Sequence, residues 1–161
     1  MKRTVLEMLG QAAESFGEKP YCWRKTDAGW TPKSFRATRD EATLVARGLR
    51  THGFTAGEKA VVLSEGSPEW VAFELGVLTA GATSVPLSIK LLPEELPFRV
   101  NHSDATVIGV SWNQVPKLAG VYGGLEAKPL VVLLEDTDSR LEEARAQLAD
   151  AGVKDAGARV T

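Results

Sequence analysis

The stretch SEGSPEW, Ser64 to Trp70, lies between the apolar runs KAVVL and VAFELGVLTAGA. A strand therefore stops and a helix begins within a few residues. That junction has the geometry of an anion site: free backbone N–H groups and the positive end of a helix dipole follow a strand tip, and Gly66 permits close approach. The side chains oppose it. Glu65 and Glu69 flank the turn, and no Lys or Arg lies between Ser64 and Lys90. The spacing matches neither G-x-G-x-x-G nor G-x-x-x-x-G-K-[ST]. An ordinary helix start accounts for the same letters, with Ser67 as N-cap, Pro68 at the first helical position and Glu69 in the first turn.

The other chemistry-bearing residues are sparse. His52 and His102 stand alone, and Cys22 is the single cysteine, so neither a zinc ligand set nor an intrachain disulfide is available. No G-x-S-x-G elbow is present and neither histidine is placed as a base for a serine. The glycines of GVYGG, Gly120 to Gly124, lack a following Lys and Ser/Thr and read as punctuation between a helix and a strand. The acids from Glu135 through Glu143 read as a solvated helix start, not as a paired-carboxylate site. Lys90 follows VPLS at the end of a short strand, the end at which parallel α/β sheets bind ligands. A solvated loop lysine is its plainer account, and a phosphate contact its functional one.

The elements around these residues follow from periodicity. Val5, Leu6, Met8, Leu9 and Ala12 fall mostly on one side of a helix from Thr4 to Ser15, which Gly17 closes. A hairpin at about 20–34 is predicted from two short runs around Asp27-Ala28-Gly29. From Phe35 to His52, Thr38, Ala42, Val45, Ala46 and Leu49 form an apolar stripe ended by Gly53; Thr38 with Glu41 also fits a capping box, so two starts are open. Over about 57–150, short β-branched runs (KAVVLS, ATSVPL, ATVIGVS, KPLVVLLE) alternate four times with helical stretches. Near-continuous apolar strands of this kind imply a mostly parallel sheet with helices on both faces, an α/β fold. The stretch Pro68 to Ala80 is apolar nearly all round and needs cover on both sides. Pro97 is expected to kink or shorten the helix after Pro93. The end, AGVKDAGARVT, reads as a linker or an unfinished connection.

With 161 residues, 43% of them hydrophobic, the chain is long enough for one core. A net charge of -2 with dispersed arginines gives no footprint for nucleic acid. The first residues lack the apolar core of a signal peptide, and no window approaches twenty uncharged apolar residues, so the expected compartment is the cytoplasm, with no transmembrane segment.

In order, FGEKPY, the GW-containing hairpin, VARGLRTHGFTAGEKAVVLSEGSPEWV, TAGATSVPLS, LLPEELPFRVNHSDATVIGVS and KPLVVLLED resemble the N-terminal part of AMP-forming acyl-CoA synthetases. These belong to the adenylate-forming superfamily, and the likeness is to its long-chain fatty acyl-CoA synthetase branch. It runs from about Glu14 to Gln147, with Gly66 where the family often has a larger polar residue. The resemblance implies a parent enzyme that converts a carboxylic, expectedly fatty, acid and ATP to acyl-AMP and passes the acyl group to CoA, with ATP, Mg²⁺ and CoA as cofactors. It also implies that SEGSPEW is a scaffold turn.

The family's phosphate loop, Mg²⁺-holding Thr-Glu pair, ribose-binding Asp and mobile-domain Lys match no position here, so residues 1–161 are expected to be a partial N-terminal domain. That segment is expected to be inactive alone and to bind none of these cofactors, with Lys90 the one candidate for a CoA phosphate. Its partners would be the remainder of its polypeptide and, through uncovered apolar surface, a second copy of itself. A free-standing flavodoxin-like or receiver-like binding module is the rival. A receiver would need an acidic pocket, and the strands end in Ser64-Glu65 and Ser111, with no Asp at either tip.

Overall fold

The computed structural model describes residues 3–26, 28–134, 138–153 and 158–159, the last pair and residue 138 by backbone alone. Helix α1 (Val5–Phe16) is capped by Thr4, whose Oγ1 accepts from the Glu7 N–H while the Glu7 side chain accepts from the Thr4 N–H. Strands β1 (Pro20–Thr26) and β2 (Gly29–Ser34) form an antiparallel hairpin in which Trp23 opposes Pro32 and Lys25 opposes Trp30. The predicted turn residue Asp27 lies outside the described residues.

Helix α2 (Phe35–Thr51) takes the first of its two possible starts. Ser34 accepts from the Ala37 N–H, and Thr38, fully buried, donates to the Ser34 carbonyl instead of capping. Gly53, at φ 86°, turns the chain out of the helix, with Gly53 and Phe54 N–H groups donating to Arg50 and Leu49 carbonyls.

The remaining strands are β3 (Lys59–Leu63), β4 (Thr83–Pro86), β5 (Val107–Val110), β6 (Leu130–Leu133) and β7 (Ala158–Arg159). They form one sheet in the order β4-β3-β5-β6-β7, every neighbouring pair parallel. The two-residue β7 departs from the linker reading of the chain end. Its letters are small and polar, and only pairing with Val132 and Leu133 identifies it.

Helix α3 (Pro68–Thr79) links β3 to β4; α4 (Leu96–Ser103), α5 (Val115–Val121) and α6 (Asp138–Asp150) follow β4, β5 and β6. One core lies between the sheet and α4, α5 and α6, around Leu63, Leu96, Ile108, Leu118 and Leu148. The other lies between the opposite face and α2 and α3, around Leu49, Phe54, Val62, Phe73 and Val77. The all-round apolar α3 finds its cover within the chain: its residues range from buried to half-buried, beneath α2, α1 and the hairpin. Pro97 stands in the first turn of α4, after a 3-10 turn at Pro93–Glu95, so its missing N–H costs no helical bond and the helix is short.

Candidate functional site

The chain runs from β3 through α3 to β4 on one side, then crosses back through α4 to β5 on the other. Strand order therefore reverses at β3, and the crevice outside the carboxyl ends of β3 and β5 is where a doubly wound sheet usually receives a ligand. Here polar side chains line it. Glu65, just past β3, accepts from Ser111 Oγ at 2.5 Å and from Gln114 Nε2 at 2.6 Å, both just past β5. Burial pushes its carboxyl up. The Ser111 and Gln114 hydrogen bonds, with the positive charge of Lys117, outweigh burial and hold it below the usual carboxylate range.

Glu65 and Ser111 also line a cavity of about 160 Å³ at these strand ends, together with Arg24, Ser64, Ser67 and Glu69. Glu69, in the first turn of α3, is 4% exposed, and its carboxylate pairs with Arg24 of β1 and lies 3.7 Å from Lys33 of β2. Lys33 also contacts Glu41 of α2 at 2.5 Å. This network fastens the hairpin to α2 and α3. Sequence reading took Glu69 only as a first-turn acid; its partners are 45 and 36 positions away, and no local pattern could reveal them.

The turn SEGSPEW is thereby a scaffold junction. Ser67 Oγ already accepts the Trp70 N–H, and two carboxylates surround the helix N-terminus, so these residues do not fit a triphosphate. Among the described residues no group of three or more His, Cys, Asp or Glu is arranged to hold a metal ion.

The remaining candidates are dispersed. His52 ends α2, and His102 stacks on Phe98 at 5.7 Å between centroids. Cys22 is half-buried; burial pushes its thiol up, against a hydrogen bond with Thr38 and the charge of Lys33. Gly123 and Gly124 form a 3-10 turn after α5, before β6. Lys90 is exposed in the loop after β4, its N–H donating to Ser88 Oγ at 3.2 Å; Lys117 holds that loop by donating to the Ile89 carbonyl at 2.6 Å. It stands at the carboxyl end of the sheet, apart from the Glu65 cluster's hydrogen bonds.

Comparison with known proteins bears on the same region. The family model described as "AMP-binding enzyme" matches residues 9–158. The chain belongs to that family. It is 30% identical over 136 residues to 4-hydroxybutyrate–CoA ligase 2 of Metallosphaera sedula, covering 84% of this chain and 24% of that protein. It is 24% identical over 144 residues to long chain acyl-CoA synthetase 2 of Arabidopsis thaliana, covering 88% and 20%.

Among solved structures, the anthranilate CoA ligase AuaEII in complex with anthranoyl-AMP superposes with a TM-score of 0.73 at 24% identity, over 90% of this chain and 27% of that one. The A-PCP didomain of the carboxylic acid reductase from Segniliparus rugosus, in complex with AMP, gives 0.81 at 16% identity, over 99% and 26%. These likenesses carry the fold. The chain spans about a quarter or less of the length of the curated relatives it matches.

Proposed function

We propose that this chain is the N-terminal portion of an AMP-forming acid–thiol ligase, which activates a carboxylic acid with ATP and transfers the acyl group to CoA. The observation that carries the proposal is the family match across residues 9–158, together with related CoA ligases that align over most of this chain and a small part of themselves. The described residues form a scaffold: a parallel sheet whose switch crevice is lined by Glu65, Ser111 and Gln114, and a hairpin fastened to α3.

A fatty acid is the first substrate to try, because long chain acyl-CoA synthetase 2 of Arabidopsis thaliana is among the relatives. Relatives named for 4-hydroxybutyrate and hydroxybenzoate set the alternatives. Lys90, exposed at the carboxyl end of the sheet, is the one residue proposed to meet a CoA phosphate. The segment by itself is proposed to lack adenylating activity, since none of its described residues cradles a triphosphate. The test is to incubate the polypeptide of which this segment is part with ATP, CoA and a panel of fatty, hydroxybutyric and aromatic acids. Acid-dependent AMP and a CoA thioester are expected from the long polypeptide and from the 161-residue chain neither; absence of acid-dependent AMP with every acid would overturn the reading. For Lys90, K90A in the long polypeptide should raise KM for CoA, and an unchanged KM would make it a solvated lysine.

A further inference from the structure

The loop that joins β4 to α4 is closed at both ends. The Leu87 N–H donates to the Val62 carbonyl of β3, and the Leu92 N–H donates to the Glu95 carboxylate, each at 2.9 Å. Between these ends, the one hydrogen bond that a described residue outside the loop makes to residues 88–91 comes from Lys117, whose Nζ donates to the Ile89 carbonyl at 2.6 Å. That carbonyl belongs to the same planar peptide unit as the Lys90 N–H, which donates to Ser88 Oγ at 3.2 Å. The plane that carries Lys90 is therefore held on both sides. The Lys90 ammonium itself is exposed and has no partner among the described residues.

We propose that Lys117 is a positioning residue, which fixes the Ile89–Lys90 peptide so that the Lys90 ammonium is presented at the carboxyl end of the sheet to a phosphate of CoA. This role deepens, and rests on, the reading of Lys90 given above. Lys117 has a rigid mount: Val115 and Leu118, on either side of it in α5, are fully buried in the core under α4, α5 and α6. The same helix packs on the 3-10 turn at Pro93–Glu95, where the loop ends. The Lys117 charge also acts on Glu65, which Ser111 and Gln114 hold in turn. One ammonium thus links groups just past β3, β4 and β5, and its bond to the Ile89 carbonyl is of the stronger, charge-assisted kind. Without it, residues 88–91 keep only the hydrogen bonds they make among themselves. The loop then spends less time in the arrangement that presents Lys90, and affinity for the phosphate falls by the fraction of time lost.

Two measurements test this. Hydrogen exchange over residues 87–92 of the 161-residue chain should quicken in K117M, while β3, β5 and β6 keep the protection of the parent chain. In the long polypeptide, K117M should raise KM for CoA about three- to tenfold and leave kcat and KM for ATP little changed, and K117R, which keeps a charged donor, should recover part of the loss. Because Lys117 acts through Lys90, K117M should add little in a K90A background. Should K117M not fold, S88A frees the other side of the same peptide and reads the same loop. Exchange that does not quicken, a K117M effect that persists in full beside K90A, or a raised KM in K90A with none in K117M would each overturn the role of Lys117 alone. An unchanged KM for CoA in K90A would overturn the reading of Lys90 and this role with it, however the loop exchanges.

Discussion

The Phe73 ring occupies the place where a side chain at position 109 would project: a Cβ built on Gly109 would lie 2.6 Å from Phe73 Cε1. Gly109 is in the middle of β5 and Phe73 is fully buried in α3, so this contact sets how closely the helix approaches the sheet. G109A should therefore destabilise the chain by about 1–3 kcal/mol through overpacking. F73L in the same chain should recover part of the loss, a coupling that urea midpoints of the four proteins in a double-mutant cycle will show.

Gly76 has the same role between helices, and neither glycine could be identified from sequence. A Cβ at Gly76 would stand 2.4 Å from Val45 Cγ1 of α2, a neighbour 31 positions away. The apolar stripe of α2 and the β-branched runs of β3 to β6 were legible because their period is local. β7 was not, because two residues carry no period and only the register with β6 defines it. For the same reason the Glu65 cluster was missed: Ser111 and Gln114 are 46 and 49 positions from it, and only the crossover through α4 brings them together. The place of Lys90 in the loop after β4 was legible, since it depends only on where β4 stops.

The Glu65 carboxyl supports an expectation about pH. Its pKa is lowered on folding, so its charge adds stability that is fully present above the ordinary carboxylate range, about pH 4.3, and is lost as pH falls through the folded value. E65Q should lower the urea midpoint near neutrality, and the gap to the parent chain should narrow on acidification. A gap that stays constant from neutral to acid would show that the charge is not what Ser111 and Gln114 stabilise.

The Glu69 pair makes a separate prediction. Removing a buried carboxylate leaves Arg24 and Lys33 without it, and Arg24 keeps partial access to water, so E69A should cost about 2 kcal/mol, less than a fully buried pair. Because the pair fastens the hairpin, limited proteolysis should cut between residues 20 and 34 sooner than in the parent chain. Unchanged cleavage there would mean that packing on α2 holds the hairpin without it.

Cys22 should alkylate slowly. Burial pushes its thiol up and thereby reduces the thiolate at neutral pH, so iodoacetamide should label it more slowly than a free cysteine and reach the free rate in urea. Because the folded thiol titrates above the ordinary value of about 8.5, labelling of the folded chain should accelerate only at a higher pH than labelling of the unfolded chain.

The central claim is that this segment serves as the N-terminal scaffold of a carboxylate-activating ligase. Its most direct measurement is acid-dependent ATP–pyrophosphate exchange by a graft in which residues 9–158 replace the aligned segment of the Metallosphaera sedula 4-hydroxybutyrate–CoA ligase 2. A soluble, cooperatively folding graft that exchanges pyrophosphate only when a carboxylic acid is added is the predicted result. A graft that folds cooperatively and shows no exchange with any acid, while the unmodified ligase is active beside it, would contradict the claim.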